Sequence, residues 1–309
     1  MLIFYFFAAI QIFFAYKSLR GGIDYQTYFK NELAKPKSDY TPFASVIVPC
    51  RGIDIDLAEN LEALFEQDYP EFEVIFVVDD ENDEAVPIIE NISGKSAKLI
   101  VAGKAENCGQ KVHNLRKAVL EISDKSEVFV FVDSDARPDK HWLKNLIAPL
   151  ENEKIGCATG YRWFVQKSGG FATHLRSVWN ASIASALGQN TKNNFCWGGS
   201  TAIRREIFEQ LNVREKWRGT VSDDFALTNI LQKAEVPIYF VPSCLTATVE
   251  DCTFSELLEF TTRQMKITRV YSPNHFTISL IGSILSTFTF WTGIFLLFFI
   301  SGVHCWIVL

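Results

Sequence analysis

From residue 44 to residue 150, short runs of β-branched and aromatic residues alternate with stretches whose apolar residues recur at helical spacing. Ala44–Val48 reads as a strand ending at Pro49, and Leu57, Leu61, Leu64 and Phe65 then line one helix face. Val74–Val78, Lys98–Val101 and Val128–Val132 read as three more strands. Between and after them, Val112, Leu115 and Val119, then Trp142, Leu146 and Leu150, mark further helical faces. Strands this continuously apolar need cover on both faces, which predicts an α/β domain with a mostly parallel, Rossmann-like sheet. Ligands of such sheets bind beyond the carboxyl ends of the strands. Two strands run straight into acid at that end: Asp79-Asp80 after the second and Asp133-Ser134-Asp135 after the fourth.

The two ends of the chain are of a different kind. No charge occurs in residues 1–16 or 270–309, and this explains why 48% of the 309 residues are hydrophobic although 21% are charged. Lys17 and Arg20 follow the first apolar stretch, the reverse of a cleaved signal, so residues 1–20 are expected to anchor the chain in a membrane. The positive-inside bias then leaves the following domain, residues 41–250, on the cytoplasmic side. Residues 273–309 are expected to hold one span at about 276–299, a break near Ser301-Gly302 and the start of a second apolar element. Before them, residues 251–272 read as an amphipathic helix: Phe254, Leu257, Leu258, Thr261 and Met265 alternate with Glu256, Glu259, Arg263 and Lys266. Such a helix packs on its own domain or lies at a lipid interface, and its place just before a span favours the interface. A net charge of −6 without a basic run gives no electrostatic footprint for nucleic acid, and no nucleic-acid partner is expected. The seven cysteines show no C-x-x-C spacing and read as free thiols rather than a disulfide or zinc framework.

Taken singly, each polar motif has a plain alternative. Asp133 and Asp135 offer hard oxygen ligands to magnesium or manganese, but acidic turns are common. Asp79 and Asp80 suit a nucleoside as acceptors, or simply keep a strand end in water. Ser222-Asp223-Asp224 opens a helix, where capping is the simple role and a general base the chemical one. Lys111 stands at a helix start after Asn107-Cys108-Gly109, fit for a phosphate or merely for the surface. Cys196-Trp197-Gly198-Gly199-Ser200 is a glycine turn that lets backbone approach a ligand closely. Arg263 and Lys266 are spaced to reach a diphosphate or lipid headgroups together. No G-x-G-x-x-G follows the first strand, which argues against a nicotinamide enzyme.

In order along the chain, these segments resemble the ceramide glucosyltransferase family, inverting GT-A glycosyltransferases of family-2-like type that use nucleotide sugars. Val46-Ile47-Val48-Pro49 with Arg51-Gly52-Ile53-Asp54 is similar to the family's opening strand and turn. Asp80 falls at its first aspartate, Lys111 and Asn114 at a lysine–asparagine motif, and Asp133 and Asp135 at its metal-binding D-x-D. Gly199-Ser200 with Arg204-Arg205-Glu206 resembles the segment before the third aspartate, which is Asp224. The resemblance implies a GT-A domain flanked by transmembrane helices. Its sites would be Asp224 as base assisted by Asp223, Asp133 and Asp135 on Mg2+ or Mn2+, and Pro49, Arg51, Asp79, Asp80, Lys111, Asp133, Gly199, Arg263 and Lys266 around a UDP-sugar. The expected reaction moves a hexose, in this family glucose, to a lipid hydroxyl such as that of ceramide. Another lipid or a polysaccharide as acceptor, or a non-catalytic sugar-nucleotide-binding scaffold, are the alternatives. One departure bears on the acceptor: where the family has R/Q-x-x-R-W, this chain has Arg263-Gln264-Met265-Lys266-Ile267. The change removes a planar guanidinium fork and a stacking ring.

Overall fold

A computed structural model describes residues 2–36, 38–93 and 97–299. It comprises two compact units, Thr27–Leu258 and a second, helical in its described residues, of Met1–Gln26 with Glu259–Leu309.

The first-half elements follow the apolar periodicity. After α1 (Leu2–Leu33) come β1 (Ala44–Pro49), α2 (Leu57–Phe65), β2 (Phe72–Val78), α3 (Ala85–Ser93), β3 (Ala97–Val101), α4 (Gln110–Ala118), β4 (Val128–Phe131) and α5 (Trp142–Ile147). Then follow β5 (Cys157–Val165), α6 (Phe171–Ala184), β6 (Thr201–Arg204), α7 (Arg205–Gln210), α8 (Val213–Lys216), α9 (Asp223–Lys233), β7 (Ile238–Val249), α10 (Phe254–Tyr271) and α11 (Pro273–Leu297).

Seven strands form one sheet in the order β3-β2-β1-β4-β6-β5-β7. β1 pairs in parallel with β2 and β4, and β2 with β3. β6 runs antiparallel between β4 and β5, and β7 closes the edge parallel to β5. The central strands are sealed from water: Val46, Val48, Phe76, Val78 and Val130 are buried in one core with Leu61, Leu64, Leu143 and Leu146 from the covering helices. Burial of such side chains contributes roughly 1.5–3 kcal/mol each. Ile47, Ile75, Val77 and Phe131 are buried on the opposite face, and the parallel pairing of β1 with β2 and β4 places the loops after these three strands side by side at one end of the sheet.

In the helical unit, α1 and α11 are each long and apolar enough to cross a membrane. They touch through the rings of Phe7 and Phe288, 5.6 Å apart, and through Ser286, which donates to Gln11 Oε1 at 3.1 Å. The break between α10 and α11 falls at Ser272-Pro273, where proline fits only a first helical turn. The anticipated break at Ser301-Gly302 and second apolar element lie outside the described residues. Of the six described cysteines all are free thiols, and Cys50, Cys157, Cys196 and Cys244 are buried.

Candidate active site

The loop after β1 ties the two acidic strand ends together. Gly52 N donates to Asp83 Oδ1 at 2.8 Å on the β2 side. On the β4 side, Ser134 Oγ donates to Asp54 Oδ2 at 2.7 Å. Arg51 between them is exposed, and Pro49 sits in register with Val77 at the strand ends. Asp79 and Asp80 diverge, as neighbours in an extended segment do. Asp80 points to solvent and accepts from Asn82 N at 2.9 Å, which with the Asn82 side chain holds its pKa low. Asp79 turns inward, and its Oδ1 is buried without a hydrogen-bond partner. Leaving such an atom unsatisfied costs roughly 1–3 kcal/mol, which a bound donor would relieve.

Beyond β4, two cations interleave with three carboxylates. Lys111, in the first turn of α4, contacts Asp133 Oδ1 at 2.6 Å and Asp223 Oδ1 at 3.3 Å. Arg162 on β5 contacts Asp133 Oδ2 at 3.3 Å and Asp135 Oδ2 at 3.1 Å. Burial works against the charge on Lys111, but Asp133, Asp223 and Asp224 outweigh it and raise its pKa. Burial likewise opposes ionisation of Asp133, yet Lys111 and Arg162 hold that carboxyl below its usual range. Asp135 is pushed up to about 6, first by burial and, against the pull of Arg162, by the nearby charges of Asp133, Asp54 and Glu250. Asp223 is also pushed up to about 6, chiefly by burial, with Asp224 and Asp133 adding to it against Lys111.

Backbone threads between these charges where no side chain fits. A Cβ on Gly198 would lie 2.3 Å from Asp223 Oδ2, and one on Gly199 2.7 Å from Asp133 Oδ2. The glycines therefore let the 197–200 turn close over the ion pairs, and Ser200 is pinned beneath it by Trp142 Nε1 at 2.8 Å. Asp224 stands at the edge. Ser222 caps α9, and Asp224 Oδ1 accepts from Ser222 Oγ and from Phe225 N. Its other oxygen has no hydrogen bond among the described residues.

Comparison with known proteins assigns the family. The model of "Glycosyl transferase family 21" matches residues 5–309. The chain belongs to glycosyl transferase family 21. Ceramide glucosyltransferase 1 of Caenorhabditis elegans is 26% identical over 203 residues, 62% of this chain and 42% of that protein. The chain spans less than half the length of the curated ceramide glucosyltransferases it matches. The fold is of the GT-A type. A Pyrobaculum calidifontis mannosyltransferase solved with GDP-mannose and Mn2+ superposes with a TM-score of 0.55 at 20% identity, covering 86% of this chain and 74% of that one. Glucosyl-3-phosphoglycerate synthase of Mycobacterium tuberculosis, solved with Mn2+ and UDP-glucose, gives 0.50 at 17% identity over 74% and 79% of the two chains.

Within this family 21 chain, Lys111, Asp133, Asp135, Gly199, Asp223 and Asp224 gather at one place. Asn114 instead is buried and accepts from Gln110 at 2.8 Å, a contact internal to α4. Arg263 and Lys266 lie on α10 in the helical unit. Arg162 is the residue that motif reading passed over. A lone arginine in an apolar strand was its only signal, and its guanidinium also packs over the Trp197 ring at 5.3 Å.

The carboxylates suit a hard divalent cation. Asp135 is crowded by negative charge that one shared arginine does not offset, and both candidate ligands are oxygen donors. No group of three or more His, Cys, Asp or Glu side chains is arranged for a metal among the described residues. An ion at Asp133 and Asp135 would thus complete its shell from substrate phosphates and water, the usual habit of magnesium.

Proposed function

We propose that this chain is a membrane-associated inverting glycosyltransferase that moves glucose from UDP-glucose to the hydroxyl of a ceramide-like lipid. The interleaved cluster of Lys111, Arg162, Asp133, Asp135 and Asp223, with Asp224 at its edge, carries the reading. Family membership supports glycosyl transfer, the names of the curated relatives support ceramide and glucose, and the solved neighbours' titles support a nucleotide sugar with Mn2+.

Each residue has a part. Asp79 and the loop after β1 receive the nucleoside, whose polar edge pairs with the orphaned Oδ1. Lys111 and Arg162 set positive charge where the diphosphate departs, and such preorganised charge is the larger share of catalysis in many enzymes. A divalent ion at Asp133 and Asp135 would supply further Lewis-acid stabilisation of the leaving diphosphate. The helix start grips one oxygen of Asp224 and leaves the other to take the acceptor proton. As the acceptor oxygen bonds to the anomeric carbon, the bond from that carbon to the diphosphate breaks and configuration inverts. Arg263 and Lys266 are proposed to meet the diphosphate or lipid headgroups from α10.

Asp224→Asn tests the base. Transfer of glucose to ceramide in detergent should fall about 10²–10⁴-fold, while UDP titration shows donor binding within a factor of a few of wild type. Full activity in the variant would remove Asp224 from this role. A panel of diacylglycerol, polyprenyl phosphate and saccharide acceptors assayed alongside would show whether the lysine and isoleucine at 266 and 267 accompany a different acceptor.

A further inference from the structure

A polar cavity of about 510 Å³ opens on the other side of α4. Lys111 points from that helix into the catalytic cluster. His113, Arg116, Lys117 and Leu120 fall roughly opposite on the helical wheel and line the cavity. Lys104 contributes from the loop after β3, and Arg214 and Arg218 from α8 and just beyond it. Five cations thus face one space, with Glu106 the one acid on its wall. Glu215 takes part of the load, reaching Arg214 at 2.9 Å and Arg116 at 3.5 Å. Arg116 is also fixed by donating from Nε to the Arg214 carbonyl at 2.8 Å. Lys117 and Arg218 have no ion pair among the described residues, and the charge of Lys104 also acts on Asp80.

Like charges held within one cavity repel one another, and a bound anion relieves the repulsion that Glu215 leaves. In a chain of net charge −6 this concentration is not what composition alone would place there. Arginine forks and lysine ammonium groups together are the usual means of gripping phosphate oxygens. The room suits a small ligand with one to three phosphate groups. We propose that this cavity is a binding site for a phosphate-bearing ligand, separate from the donor site and built on the reverse face of the same helix. The proposal does not depend on which sugar or acceptor the catalytic cluster uses.

The test uses the full chain in detergent with inorganic tripolyphosphate as probe, titrated calorimetrically. The double variant Lys117→Glu, Arg218→Glu alters two exposed residues, and its melting midpoint checks the fold. Tripolyphosphate affinity should fall about tenfold or more in this variant, and should stay within about threefold of wild type in Lys111→Ala. Unchanged affinity in the double variant, or loss confined to Lys111→Ala, would overturn the site. Repeating the titration in nanodiscs of phosphatidylcholine with and without phosphatidic acid separates two sources of the phosphate. Competition by phosphatidic acid identifies a lipid headgroup, and undiminished binding identifies a soluble phosphate; either supports the site.

Discussion

Lys111 and Arg162 are two cations among three carboxylates, so the cluster is one positive charge short before any ligand arrives. Arg162→Met would leave Asp133 with Lys111 alone and Asp135 with no cation. Breaking a buried pair costs on the order of 3 kcal/mol, so the melting midpoint should drop clearly. Added Mn2+ should then close more of the gap than it gains for the wild type, because the dication takes over the missing charge. Melting curves with and without Mn2+ decide this, and a gap that ignores the metal would speak against Asp135 as a ligand. Asp223 makes a prediction of opposite sign. Its pKa, raised from 3.8 to about 6, means that the folded chain holds a proton there which the unfolded chain has already lost. Stability from this group is present at low pH and declines as pH rises from about 4 to 6, with the full penalty, on the order of 3 kcal/mol, at neutral pH. Asp223→Asn should therefore raise the ligand-free melting midpoint at pH 7 and flatten its fall across that interval. The same variant should lower transfer activity, because Lys111 then keeps one carboxylate, Asp133, to hold it instead of two. A midpoint lowered at pH 7 would show that the ion pair outweighs its desolvation.

At the scale of elements, the junction of β5 with β7 is the tightest constraint on the site. Their register shifts between Thr159 and Tyr161, and Gly160 lies at the irregularity. A Cβ there would stand 2.0 Å from the Cys244 carbonyl oxygen and 2.5 Å from Ser200 Oγ, so backbone and not a flexible side chain would have to yield. Gly160→Ala should thus destabilise the sheet by roughly 1–3 kcal/mol or more, read as a lower urea midpoint. It should also lower donor affinity, since Arg162 is two residues further along the displaced strand. The same stretch shows where sequence reading stops. β1, β2 and β4 were legible because each is a short apolar run ended by proline or acid, and the parallel order then fixed where Asp79-Asp80 and Asp133-Ser134-Asp135 lie. β5, β6 and β7 were not read as strands. Gly160 interrupts the first, β6 is only Thr201–Arg204, and Pro242 stands within the third. With β5 unread, Arg162 had no place beside the D-x-D. The resemblance singled out Asp80 as the first aspartate, whereas it is Asp79 whose carboxylate turns inward, and alternation alone does not say which of two neighbours does so.

For the whole molecule, connectivity limits where a membrane could lie. The chain enters the Thr27–Leu258 unit from α1 and leaves it toward α10 and α11, so if both apolar helices cross a bilayer, their ends nearest that unit emerge on one side. Cations gather on those flanks: Lys17, Arg20 and Lys30 on the first, and Arg263, Lys266 and Arg269 on the second, whereas residues 1–16 and 270–309 carry no charge. The bias of lysine and arginine toward the cytoplasm predicts that side for the Thr27–Leu258 unit. In sealed right-side-out vesicles, trypsin added outside should leave the 27–258 region intact, and detergent should expose it to cleavage. The sum of flanking cations sets the preference, so replacing Lys17, Arg20 and Lys30 together by glutamine should yield a mixture of protected and cleaved chains. Cleavage of the wild-type region in intact vesicles would invert the topology, and the proposed UDP-sugar donor would then have to be supplied from the opposite compartment.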